Sequence, residues 1–392
     1  DALELSLFRG PVWATATARL SYRGKRCAAV RRCSSAELTG GLADSRALQR
    51  ILKLAFYDAG VRALGREPPW GALTGVRPVK IPTKAMLAGA GPAQAERLLR
   101  DTYRVTEGRR RLAMDCAGAS LAALRSLAPG EVSLYVGIPF CPTRCTYCSF
   151  VSRTIGRKTE LLEPYLRALE QEIAVTGRLL AQSGRTVRTL YIGGGTPTTL
   201  SASQMERLLG VIRDNFDLSR CVEFTVEGGR PDTLDLEKLQ VIRSGGADRM
   251  SINPQTMEDA VLRACGRPHK AADVLRAYGE AADAGFSAIN MDLIAGLPAD
   301  TTAGFRRSLD AVATLNPANI TVHTLALKKG SRILTEGLSI PDGAAVQAML
   351  DYAAPALRSA GFAPYYLYRQ KYMSGSFENV GWCRPGGECW YN

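Results

Sequence analysis

From about residue 131 onward the apolar positions fall into two kinds of block that alternate along the chain. One kind is short and rich in β-branched and aromatic residues. It comprises Ser133–Pro139 (SLYVGIP), Arg188–Gly193 (RTLYIG), Val222–Glu227 (VEFTVE), Asp248–Asn253 (DRMSIN), Ala288–Ile294 (AINMDLI) and Asn319–Leu325 (NITVHTL). Such runs predict strands. The other kind repeats at three- and four-residue steps. From Thr159 to about Gln182, Leu162, Tyr165, Leu166, Leu169 and Ile173 mark one face of an amphipathic helix. Further helices are expected near 201–212, with Ser201 as N-cap, and near 233–244, 271–284, 301–315 and 343–360. Gly245–Gly246, Gly285 and Gly361 supply stops.

Six strand–helix repeats in a row imply a parallel sheet, because each crossover returns the next strand in the same direction. An open doubly wound sheet and a full or partial barrel both fit, and both place chemistry at the C-terminal ends of the strands. The distinctive residues cluster there. A cysteine loop follows the first strand and GGGTPT (Gly193–Thr198) the second, while Glu227 ends the third. Asn253 and Gln255 mark the end of the fourth, Asp292 lies within the fifth, and His323 and Lys328–Lys329 mark the end of the sixth.

The first 130 residues read differently. PVWATATARLSYRGKRCAAV suggests an antiparallel hairpin, a helical stretch follows from Ser45 to Leu64, and PPWGALTGVRPVK (Pro68–Lys80) is a turn-rich connector. A small α/β domain is expected over 1–130, an α/β core over 131–340 and a separate C-terminal region over 341–392. The formal charge of +13 is concentrated in the first domain, which holds 22 Lys and Arg against 10 Asp and Glu. Such a surplus fits either a nucleic-acid or acidic-ligand surface or a solvated arginine-rich face. No signal peptide pattern and no apolar run long enough to cross a bilayer is present, so a cytoplasmic protein is expected. The first residue is Asp1 rather than Met, and a trimmed boundary is expected at either end.

In a cytoplasmic chain the 10 cysteines are not expected to form a disulfide framework. Cys141, Cys145 and Cys148, in PFCPTRCTYCSF, have the spacing of a metal loop. Three thiolates in one tight loop suit three corners of an iron–sulfur cubane. A structural zinc site usually pairs two distant ligand couples, and this sequence offers only a poorly spaced second couple, Cys383 and Cys389. Three protein ligands on four irons leave one position open, which is the mark of a catalytic site.

C-x3-C-x2-C with Tyr147 before the third cysteine resembles the signature of radical S-adenosylmethionine enzymes. Within that superfamily LYVGIPFCPTRCTYCSF, YIGGGTPTTL, RMSINPQT, NMDLIAGLP, ENVGWCRPGGECWYN and WGALTGVRP resemble the oxygen-independent coproporphyrinogen III dehydrogenase group, and most of all its HemZ branch. The resemblance implies a partial (β/α)6 TIM-like barrel, preceded here by the basic α/β domain. It also implies a [4Fe-4S] cluster on Cys141, Cys145 and Cys148, whose open iron binds S-adenosylmethionine and cleaves it to a radical. By the same resemblance Tyr135 and Gly194 contact that cofactor, Gly195 and Thr196 line its pocket, and Glu227 takes its polar groups. Tyr135 and Glu227 are thereby the expected catalytic residues. Tyr147, Gln255, Arg267, Asp292 and Ala326 are implied contacts of a second S-adenosylmethionine.

The implied reaction is oxidative decarboxylation of coproporphyrinogen III to protoporphyrinogen IX in haem biosynthesis, with a flavodoxin- or ferredoxin-type reductant as electron donor. Lys328, Lys329 and Arg332 are the cations expected to meet the four carboxylates of that tetrapyrrole. Two positions depart from the best-known branch: Phe150 stands where it has a fourth cysteine and Gly137 where it has a histidine. The phenylalanine is also typical of a related haem-chaperone branch, so a haem-trafficking role is the alternative. A radical enzyme acting on RNA is the second alternative, motivated by the basic first domain. The family's helical C-terminal region is expected beyond Asn392.

Overall fold

In the computed structural model, residues 1–391 are described except 39, 76, 156–159 and 329, so the expected helix start at Thr159 and the candidate Lys329 lie outside the described residues. The chain divides into two compact units, Asp1–Ala117 and Gly118–Asn392.

The first unit is built on a three-stranded antiparallel sheet of β1 (Ala2–Arg9), β2 (Trp13–Tyr22) and β3 (Lys25–Ser34), with β2 in the middle. The hairpin is where the sequence places it, and β1 is an addition. Helix α1 (Gly41–Leu64) packs on one face. Alternation along β2 turns Ala14, Ala16 and Ala18 to that face, and β3 adds Ala29 and Cys33. Their small side chains let Leu48, Ile51, Ala55 and Ala59 of the helix lie close to the sheet. The turn-rich connector is anchored by Trp70, which is buried, and by a close approach at Gly71. With φ +55, a Cβ there would fall 2.2 Å from the Tyr103 carbonyl oxygen, so only glycine fits.

The second unit holds an eight-stranded sheet. Its parallel strands are β4 (Glu131–Ile138), β5 (Thr186–Gly194), β6 (Glu223–Glu227), β7 (Arg249–Ser251), β8 (Ala288–Ala295) and β9 (Asn319–Thr324), neighbours in that order. The six predicted strands are all present, and they form a curled half-barrel. Helices α2 (Leu162–Ser183), α3 (Ala202–Asn215), α4 (Leu236–Ser244), α5 (Ala271–Asp283), α6 (Thr302–Thr314) and α7 (Gly343–Ser359) follow successive strands. Ser201 caps α3 in a reciprocal pair with Gln204, while Asp235, Thr301 and Asp342 cap α4, α6 and α7. Each helix buries an apolar stripe, such as Met205, Leu208, Leu209 and Ile212 in α3.

Two strands were not anticipated. β10 (Ala363–Tyr368) and β11 (Asn379–Cys383) continue the sheet beyond β9, with β11 antiparallel to both. The C-terminal region thus contributes to the same sheet as the core. Beyond β11 the chain ties back to β6 and β7. Buried Arg249 donates to the carbonyl oxygens of Gly387 and Glu388 and to the side chains of Asn290 and Asn319. Its charge is matched by Glu223 at 3.3 Å, which also accepts from the Cys389 thiol and the Trp390 N–H. Among the described residues no helix is long and apolar enough to cross a membrane.

Candidate active site at the rim of the half-barrel

The cysteine loop leaves β4 and is held from several sides. Phe140–Cys141 pairs with Arg153–Thr154, and the Ile155 N–H donates to the Cys141 carbonyl at 3.0 Å. The Thr146 N–H donates to the Cys265 carbonyl at 3.1 Å, and the Thr146 carbonyl accepts from the Ser331 hydroxyl at 2.9 Å. Arg230 reaches across to the Thr143 hydroxyl at 2.7 Å while its fork grips Asp232 at 3.0 and 2.7 Å. Cys141 and Cys145 are buried and Cys148 is half-buried, and burial raises the Cys148 thiol above its ordinary range.

The glycine run at the end of β5 passes directly beneath this loop. A Cβ on Gly195 would lie 2.8 Å from Cys141 Sγ and 2.5 Å from the Phe140 carbonyl oxygen. Gly194 has φ +126 and turns its N–H toward Glu227 Oε2 at 3.3 Å. The Thr196 hydroxyl lies 3.5 Å from Cys141 Sγ. Glycine is therefore required here for close packing against sulfur, beyond the needs of a tight turn.

On the other side of the loop stands Arg267, which is buried. It donates to Tyr147 Oη at 2.9 Å, the Gly229 carbonyl at 3.1 Å and the Asn253 carbonyl at 2.9 Å, and its Nη1 lies 4.0 Å from Cys145 Sγ. Burial pushes the Tyr147 hydroxyl well above its ordinary range, against the pull of the guanidinium. Glu227, at the end of β6, is pushed up to about 8, first by burial and then by the charge of Asp292. Asp292 in β8 lies 3.4 Å from His323 Nε2 in β9. Gln255 sits at φ +67, unusual for a side chain of its size, held by its N–H to the Asp292 carbonyl and its own carbonyl to the Ile294 N–H.

Together these residues enclose a cavity of about 580 Å3 including space open to solvent, lined by the three cysteines, Tyr147, Gly194, Gly195, Thr196, Glu227, Gln255 and Arg267. Residues 135–312 match the family model of the radical SAM superfamily. The chain is 38% identical, over 82% of its length, to the oxygen-independent coproporphyrinogen-III oxidase-like protein HemZ of Bacillus subtilis, of which it spans 66%. The chain belongs to the radical S-adenosylmethionine superfamily.

Within that superfamily it falls in the HemN/HemZ group. It is 37% identical over half its length to the heme chaperone HemW of Bacillus subtilis, spanning 51% of that protein. The solved coproporphyrinogen III oxidase HemN of Escherichia coli superposes with a TM-score of 0.56 at 29% identity, over 69% of this chain and 58% of that one. The chain thus spans about half to two thirds of the length of these relatives. The superfamily uses a [4Fe-4S] cluster and S-adenosylmethionine.

The residues present fit such a pair of cofactors. The Gly195 cradle gives Cys141 room that a side chain would take. Asn253 Oδ1 and Gln255 Oε1 are buried beside the cavity with no hydrogen-bond partner, as acceptors kept for a ligand would be.

Tyr135, Ala326, Lys328 and Arg332 are not among the residues that line this cavity. Tyr135 on β4 is half exposed, stacks on Tyr191 at 5.9 Å and lies tilted against Tyr391 at 6.1 Å, its hydroxyl pushed up to about 12 by burial and by Glu227. Ala326 follows β9 and bridges to Met373. The Lys328 carbonyl accepts from the Ser331 N–H, and Arg332 is bound to Glu336 at 2.6 Å on the exposed face of a short helix. Sequence reading missed the Arg230–Asp232–Thr143 tie and the tyrosines Tyr191 and Tyr391. The one available signal was the basic–acidic pair in GGRPD directly after β6.

Proposed function

We propose that the chain is the catalytic body of a radical S-adenosylmethionine enzyme that oxidatively decarboxylates two propionates of coproporphyrinogen III to the vinyl groups of protoporphyrinogen IX. The observation that carries the radical half of this reading is the packing of Gly195 and Thr196 against Cys141 in a cavity that also holds Arg267, Glu227 and two orphaned acceptors. The tetrapyrrole half rests on the likeness to HemZ and HemN.

In this reading Cys141, Cys145 and Cys148 hold the cluster, which with its bound cofactor supplies hydrogen-atom abstraction. The chain's own residues orient and exclude. Gly194 and Gly195 let the cofactor lie close to backbone, and carboxyl oxygens of Glu227 and Asp292 accept hydrogen bonds from its hydroxyl and ammonium groups. Arg267 and Tyr147 hold the loop and, with Gln255 and the small Ala326, bound the wall for a second cofactor molecule. Tyr135 presents a neutral aromatic face at the mouth. From each propionate, a hydrogen atom leaves the carbon next to the ring and carbon dioxide departs. The surplus electron passes to a one-electron acceptor, while a flavodoxin- or ferredoxin-type donor supplies the electron that starts each turnover. Lys328 and Lys329 are assigned to substrate carboxylates, and Arg332 contributes only if it releases Glu336.

Anaerobic incubation of the reconstituted protein with coproporphyrinogen III, read by mass analysis, tests the assignment: loss of two carboxyl groups supports it. Cofactor cleavage without any loss overturns it. One observation favours a second reading. Phe150 is 72% exposed and lines the same cavity two residues after Cys148, where it offers an apolar surface to a flat ligand. Stable stoichiometric haem binding without turnover would identify a chaperone.

A further inference from the structure

The first unit carries a surface that the chemistry above does not use. Helix α1 covers one face of the three-stranded sheet, and the other face is open. Strand register gathers onto that open face residues that look scattered in the sequence. Phe8 of β1 stands opposite Thr15 of β2, and Thr15 opposite Arg32 of β3. Trp13 lies one step along β2 on the same face, as do Arg19 and, across from Ser21, Arg26. Phe8 is 70% and Trp13 49% exposed. The acid on this face is Glu4, which pairs with Arg19 at 3.2 Å.

We infer that this face binds single-stranded nucleic acid, with Phe8 and Trp13 stacking on unpaired bases and Arg26 and Arg32 meeting the phosphates. The chemistry favours this occupant over others. Exposed rings on a sheet offer a platform that stacks bases only when those bases are free of a duplex. The flanking arginines complement a phosphate backbone, and they would oppose one another if a second copy docked here. A sheet of three strands and about ten residues spans about 10 Å by 30 Å, enough for a few nucleotides. This goes beyond the tetrapyrrole reading and is independent of it, since every residue named lies in the first unit.

The test uses the whole chain and fluorescein-labelled oligouridylate and oligodeoxyuridylate of about eight nucleotides, followed by anisotropy. We expect binding at low salt that weakens with a log–log slope of about −1.4, from about 0.7 for each of the two phosphate contacts. Phe8→Ala and Trp13→Ala should each weaken binding by about five- to a hundredfold. Arg32→Ala should reduce the slope by about 0.7. Both rings are exposed, and circular dichroism of each variant checks that the fold is retained. A preference between the two oligonucleotides identifies RNA or DNA as the ligand. No binding at low salt would overturn the inference. So would duplex binding as tight as single-strand binding, an affinity indifferent to both aromatic replacements, or a dimer in sedimentation that Phe8→Ala dissolves.

Discussion

Replacing Arg267 by lysine isolates what its planar fork does. The guanidinium donates to three oxygens on three separate segments: Tyr147 in the cysteine loop, Gly229 after β6 and Asn253 after β7. A lysine ammonium is a point charge on a single stem and cannot span them. We expect it to keep one bond and lose two. Charge-assisted bonds contribute about 1.5–3 kcal/mol each, so the loss is about 3 kcal/mol at the lower bound. That raises the open population of this unit about a hundredfold. Hydrogen exchange of peptides from β4 to β9 in urea, under anaerobic reducing conditions, reports this unit alone. Tyr147→Phe removes only one of the three bonds and should cost less, about 1–2 kcal/mol. A lysine variant within about 1 kcal/mol of the parent chain would refute the reasoning, as would a phenylalanine variant more damaged than the lysine one.

Three further outcomes follow from the same geometry. Gly195→Ala places a methyl 2.8 Å from Cys141 Sγ, so we expect loss of reconstituted iron in elemental analysis with helix content retained; full iron loading would contradict this. Glu227 titrates at about 8 in the folded chain against an ordinary 4.5, so between those values the folded state holds a proton that the unfolded state releases. Stability should then fall as pH rises through that window, by at most about 1.4 kcal/mol per pH unit, and Glu227→Gln should flatten the slope in urea midpoints; equal slopes would remove the assignment. Lys328→Ala combined with Lys329→Ala should weaken coproporphyrinogen III binding severalfold with the iron content intact, and unchanged affinity would discard both as substrate contacts.

Much of this architecture is legible in the residue pattern because β/α repeats write two periods into the sequence. The six parallel strands appear within a few residues of their expected positions for that reason. β10 and β11 do not, because NVGWC and APYYLY carry Gly, Pro and Cys and join by antiparallel pairing without a helix to announce them. β1 escapes notice because the register that pairs it to β2 is a long-range property. The rim position of GGGTPT, Glu227 and Asp292 follows from the rule that chemistry sits after parallel strands. Why Gly195 must be glycine does not, since its neighbour Cys141 is remote in the chain. Arg230 is hidden for the same reason, as its partner Thr143 lies 87 residues away. The Arg332–Glu336 pair was readable at i, i+4 spacing, and it ties up a side chain that charge alone marks as available.

Cleavage of S-adenosylmethionine by the anaerobically reconstituted, chemically reduced protein tests the central claim most directly. We expect 5′-deoxyadenosine from the parent chain, and none when Cys141, Cys145 or Cys148 is replaced singly by alanine. An iron-loaded parent chain that forms no 5′-deoxyadenosine, or any cysteine variant that still does, would contradict it.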